Sequence, residues 1–181
     1  VERIHLAGTE IDNLIYPLNS LDFTFIKKVI LCIPEKYRGG ESYSIPSYLL
    51  KDDVIHFHRD FDDVGSLSKL TPALKFLKKE DPNSILITID DDTVYPYGMI
   101  TEIAYDLFQC SKCVSCASTQ SVRFWKIDSN DWPSKDDTVS EGWAGIGYKV
   151  SEIENSFIEE MESYSQDFPN CRFSDDLVHS Y

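Results

Sequence analysis

The chain has 181 residues, 42% hydrophobic and 13% aromatic, with 17 basic residues against 31 acidic ones and a net charge of −14. That length and apolar content build one packed domain and exclude a disordered chain. The acidic balance excludes a nonspecific nucleic-acid binder, which needs a basic face, and suits a protein that handles divalent cations.

In chain order, "VERIHL" reads as a poor first strand, and residues 11–21 ("IDNLIYPLNSL") look helical although Pro17 interrupts them. Residues 27–34 ("KKVILCIP") are a short apolar run stopped by proline, which predicts a buried strand. A loop with one short helix leads to a second strand, "VIHFHR", at residues 54–59. Leu67, Leu70, Leu74 and Leu77 are spaced three, four and three apart, as one helical face requires. Pro72 is tolerated only in that helix's first turn, so the helix starts between Ser66 and Thr71.

Residues 84–89 ("SILITI") give the strongest strand, and it runs straight into Asp90, Asp91 and Asp92. Met99, Ile100, Ile103, Ala104, Leu107 and Phe108 then form a second helical stripe, on a helix expected to start near Pro96. Cys110, Cys113 and Cys116 have a C-x-x-C-x-x-C spacing that fits zinc, but Cys171 and the four histidines lie scattered. Five cysteines cannot all pair, so the expectation is buried free thiols in a reducing compartment. Residues 113–119 ("CVSCAST") are a further strand candidate, and Ser151 with Glu154 makes a capping box for a last helix.

Apolar strands alternating with amphipathic helices predict an α/β three-layer sandwich on a mostly parallel sheet. No apolar run approaches the roughly 20 residues that span a bilayer, and no leader pattern opens the chain. The expectation is a soluble cytoplasmic protein with no membrane span. Because "SDDLVHSY" stops mid-pattern, residues 1–181 are read as a single domain truncated at one or both ends.

Three adjacent carboxylates at a strand end repel one another, and a divalent cation removes that penalty. In extended chain Asp90 and Asp92 point the same way and can share a ligand, while Asp91 points opposite. The bland alternative is an acidic turn at the N-terminus of the next helix. The pattern "ITIDDDTV" also resembles the haloacid-dehalogenase type of phosphatase, with Asp90 as nucleophile. That family places this strand first in its domain, whereas two predicted strands precede it here. A noncatalytic acidic carbohydrate- or calcium-binding module is the third possibility.

Four stretches in order carry a wider resemblance: "HRDFDDVGSLSKLTPAL", "ILITIDDDTVYPYGMI", "SEGWAGIGYK" and "CRFSDDLVHSY". Together they resemble nucleotide-sugar glycosyltransferases of the GT-A fold, similar to short enzymes of bacterial polysaccharide pathways and of algal viruses. The resemblance implies a Mn²⁺ or Mg²⁺ ion on Asp90 and Asp92, with Asp91 reaching sugar or ribose hydroxyls. It places Arg59, Asp60 and Lys69 beside the nucleotide or diphosphate, although each cation alone reads as a surface residue. Asp176, then Asp175, is the implied general base, with Glu141 as acceptor ligand or base. Trp143 either stacks on an acceptor sugar or belongs to the core. A nucleotide-sugar donor, UDP-linked foremost, and a glycan or glycoprotein acceptor are the implied partners, with no nucleic acid. The transferred unit is a hexosyl or deoxyhexosyl group, inverting transfer is favoured, and a retaining course stays open.

Overall fold

The computed structural model describes residues 3–5, 14–36, 45–62, 65–110, 113–117, 119–121, 138–140 and 142–167. Three strands open the fold: β1 (Arg3–His5), β2 (Val29–Cys32) and β3 (Ile55–His58). They pair in parallel in the order β1-β2-β3, with Arg3 opposite Ile30 and Val29 opposite Ile55. The parallel expectation holds in this half of the molecule. "VERIHL", a poor strand by its own residues, is nonetheless a strand. β1 bonds to β2 on one side and lies beside β4 (Ile85–Thr88) on the other. Sheet context outweighs local β-propensity at such a position.

The second sheet is antiparallel and has the order β4-β8-β5, with β5 at Ser115–Cys116 and β8 at Ile146–Lys149. Strand β8 supplies the centre of this half, Thr88 facing Ile146 and Ile85 facing Lys149. A short antiparallel pair joins β6 (Thr119–Ser121) to β7 (Thr138–Ser140). The predicted strand over residues 113–119 therefore divides into β5 and the start of β6.

Helices cover both faces. α1 (Ile15–Ser20) and α3 (Met99–Gln109) share one core cluster with Val29, Leu31 and Ile33 and with Ile87 and Ile89. α2 (Thr71–Glu80) and α4 (Asn155–Asp167) share the other with Ile30, Cys32, Leu86, Ile146 and Tyr148. Alternate residues of β2 thus feed opposite layers, as a two-residue period requires. This is the α/β sandwich that the sequence predicts.

α2 obeys its leucine stripe: Leu74 and Leu77 are buried, Pro72 lies in the first turn, and Gly65–Lys69 precede it as a 3-10 segment. Two helix starts differ from expectation. α3 begins at Met99 rather than near Pro96, because Gly98 has a left-handed φ of 88° that no helix continues through. The Ser151–Glu154 capping box does not form, since Val150–Glu152 adopt a 3-10 turn and α4 starts only at Asn155. The cysteines also differ: Cys110 and Cys113 are paired with each other, and of the other described cysteines Cys32 is buried and Cys116 half-buried. Cys171 lies outside the described residues.

Candidate active site

The acidic turn leaves the last bonded residue of β4, Thr88, whose side chain is fully buried. The chain bends at Asp91 and Asp92, so strand alternation stops there and does not set where these carboxylates point. Asp90 has 28% of its side chain exposed, Asp91 is half-buried and Asp92 is exposed. Of the three identical side chains only Asp92 is thus open to solvent. Thr93 donates its hydroxyl to Asp92 Oδ1 at 3.3 Å.

Lys69 sits in the 3-10 segment between β3 and α2, and it is buried rather than a surface residue, with 4% of its side chain exposed. Its ammonium donates to Asp90 Oδ1 at 2.6 Å. A buried ammonium needs a charged partner, and a carboxylate at a strand end needs a cation. The two residues satisfy each other, and the segment leaving β3 is thereby fastened to the turn leaving β4.

Tyr95 completes the turn, and the sequence alone had given it no role beyond the helix entry. Its side chain is buried, with the residue 5% exposed. The hydroxyl accepts the Asp90 N–H at 2.8 Å and donates to the Trp143 carbonyl at 2.9 Å. Its backbone N–H donates to Ser20 Oγ at 3.0 Å, and Ser20 in turn donates to the Pro17 carbonyl. Burial pushes the phenol's pKa well above its ordinary value, so the hydroxyl keeps its proton. The available signal was an aromatic with a polar tip placed five residues after Asp90, beside a proline.

Trp143 belongs to the 3-10 turn Gly142–Ala144 that enters β8, and it is 49% exposed. That exposure decides against a core role. Through Tyr95 this turn is joined to Asp90.

Arg59 and Asp60 end β3 and line a different hollow. It has a volume of about 570 Å³ and is bounded by Pro34, Glu35, Lys36, Phe61 and Asp62 as well. The Arg59 Nε is buried there with no hydrogen-bond partner, a polar atom prepared for an acceptor that the described residues do not supply. Asp60 is exposed. The aspartate turn is not among the lining residues of this hollow. Glu141, Asp175 and Asp176 lie outside the described residues. Among the described residues no group of three or more His, Cys, Asp or Glu side chains converges as metal ligands. Asp90 and Asp92 carry the hard oxygen donors that Mg²⁺ or Mn²⁺ takes, one or two carboxylates at a time with water and phosphate completing the shell, and Asp90 Oδ1 already accepts from Lys69.

Among the described residues no helix is long and apolar enough to cross a membrane. A scan with protein-family models finds no match, and a search of curated proteins finds none either. Among solved structures, the chain is similar to 2-C-methyl-D-erythritol 4-phosphate cytidylyltransferase of Francisella tularensis. The TM-score is 0.52 over 97% of this chain and 82% of that one, at 8% sequence identity. At that identity the likeness concerns the fold alone. The chain therefore has an α/β fold shared with a cytidylyltransferase.

Proposed function

We propose that the chain is a metal-dependent glycosyltransferase that moves a sugar from a nucleoside-diphosphate sugar, UDP-linked foremost, to a hydroxyl of a glycan or glycoprotein. The observation that carries this reading is the braced acidic turn: Asp90 held by Lys69 and Tyr95 at the end of β4, with Asp92 left open to solvent. Open α/β sheets bind ligands beyond such strand ends. The fold likeness to a cytidylyltransferase supports an enzyme that handles nucleotides.

A Mg²⁺ or Mn²⁺ ion held by Asp90 and Asp92 supplies neutralisation of the leaving diphosphate. Lys69 holds the Asp90 carboxylate in place, and so pre-forms the turn before a donor arrives. Arg59 and Asp60, which line the neighbouring hollow, lie beside the nucleotide or diphosphate, and Asp91 reaches sugar or ribose hydroxyls. Trp143, exposed on its turn, offers an aromatic face to an acceptor sugar. Asp176, with Asp175 and Glu141 as the other candidates, takes the acceptor proton in an inverting transfer.

The test is a thermal-shift panel of nucleotides and nucleotide sugars with and without Mn²⁺. At about 100 times Kd a specific ligand adds about 2.7 kcal/mol, so UDP with Mn²⁺ should raise Tm by several degrees. Asp92→Asn should abolish the rise. If no nucleoside diphosphate stabilises the protein, the reading fails. The fold likeness favours one second reading, a nucleotidyltransferase. It is told apart by products, because it releases pyrophosphate from a nucleoside triphosphate, whereas the glycosyltransferase releases the nucleoside diphosphate. No observation favours the phosphatase, since three strands precede β4.

A further inference from the structure

We infer that Tyr95 is a positioning residue that joins the donor side of the site to the acceptor side, so that filling the Asp90–Asp92 turn alters the surroundings of Trp143. This rests on the glycosyltransferase reading above. One hydroxyl serves both sides: it accepts from the Asp90 backbone at 2.8 Å and donates to the Trp143 carbonyl at 2.9 Å. Asp90 opens the turn assigned to metal and donor, and Trp143 lies on the turn assigned to the acceptor, 48 residues from Tyr95 in the chain.

The hydroxyl has one proton to donate. Its other carbonyl neighbour, that of Asp90, is at 3.4 Å, so the shorter contact directs the proton to Trp143. The ring is held as one piece. It is buried in the cluster that contains Ile89, Met99 and Ile100, and its backbone is tied to α1 through Ser20. The two turns leave one end of the paired strands β4 and β8, Thr88 opposite Ile146, and Tyr95 adds a side-chain bridge that carries a displacement of the Asp90 turn to the Trp143 carbonyl. The Trp143 indole, half in solvent, is free to report it.

The experiment uses the whole chain labelled with 5-fluorotryptophan. Its three tryptophans give three fluorine resonances, and Trp143→Phe identifies the one from Trp143. Diamagnetic Mg²⁺–UDP is titrated to saturation. In the wild type the Trp143 resonance should move with UDP occupancy. In Tyr95→Phe, which keeps the ring but loses the hydroxyl, that shift should fall to less than half at saturation. Placing 4-aminophenylalanine at position 95 restores a donor for the Trp143 carbonyl and should restore the shift.

A Tyr95→Phe protein whose Trp143 resonance responds as the wild type does overturns the inference, and so does an amino variant that fails to restore a lost response. If Tyr95→Phe does not fold, the wild type and the amino variant decide. A response in both supports the link, and a silent Trp143 in a protein that binds Mg²⁺–UDP overturns it. If Mg²⁺–UDP binds none of these proteins, the glycosyltransferase reading itself fails and the role of Tyr95 goes with it.

Discussion

At the scale of single residues the site depends on paired demands. The Lys69 ammonium is nearly sealed from solvent, and Asp90, itself 28% exposed, meets it at 2.6 Å. Removing the lysine leaves a partly buried carboxylate without its cation, whereas removing both charges leaves neither stranded. Lys69→Met is therefore expected to cost about 1–3 kcal/mol, measured by urea denaturation. Lys69→Met combined with Asp90→Asn should cost less than the two single losses added together. Additive losses would show that the pair contributes nothing as a pair. Tyr95 follows the same logic with neutral groups, one hydroxyl answering a backbone donor and a backbone acceptor. The resemblance already singled out Lys69 and Asp90 because both carry charge in a suggestive order. Their pairing was not legible, since 21 residues separate them and only the packing of α2 against the sheet brings them together.

At the scale of elements, β8 shows why a central strand escaped local reading. The stretch "GWAGIGYK" is broken by glycines, which in isolation argue for a turn. In the fold Gly147 is required because α3 packs directly on β8. A Cβ there would meet Ile103 Cγ2 at 2.5 Å and Leu107 Cδ1 at 2.8 Å. Gly147→Ala is expected to destabilise by about 1–3 kcal/mol, the usual cost of overpacking, read as a lower urea midpoint. An unchanged midpoint would mean that α3 stands farther from the strand.

The edge strand β3 gives a pH effect. His56 stacks on Phe76 of α2 at 4.5 Å between ring centroids, with Lys28 Nζ 5.5 Å from the same ring. Burial, then the charge of Lys28, lowers the His56 pKa below its ordinary 6.5, with Glu80 opposing. As pH falls through 6.5 the unfolded chain takes this proton before the folded one does. The stability from neutral His56 is thus complete above that pH and declines below it, as the pH drops toward the folded pKa. Denaturation at pH 7 and pH 5 should show a smaller acid loss for His56→Phe than for the wild type. Parallel profiles would remove His56 as a cause.

At the scale of the whole molecule, the parallel and antiparallel sheets form a β layer that separates two cores, α1 and α3 on one face and α2 and α4 on the other. Its parallel half carries Arg59 and Asp60 at the end of β3, and its antiparallel half carries the aspartates at the end of β4. The net charge of −14 means that an anionic donor meets an unfavourable long-range field. Local cations must offset it. Lys69 is already paired with Asp90, so on the proposed reading Arg59 in the neighbouring hollow and a divalent ion at the aspartate turn supply them.

The sequence by itself determined the α/β class, the runs that became β2, β3 and β4, the leucine face of α2, and the acidic turn at a strand end. Each of these is written in residues close together, where a period of 2 or 3.6 and a turn residue are enough. The tertiary structure alone decided that "VERIHL" is a strand, that β8 lies antiparallel between β4 and β5, and that α4 starts after a 3-10 turn. It alone decided that Lys69 is buried against Asp90 and that Tyr95 holds Trp143. The strand pairings and side-chain contacts among these depend on partners 21 to 64 residues away in the chain, and no local pattern encodes a contact that only packing creates.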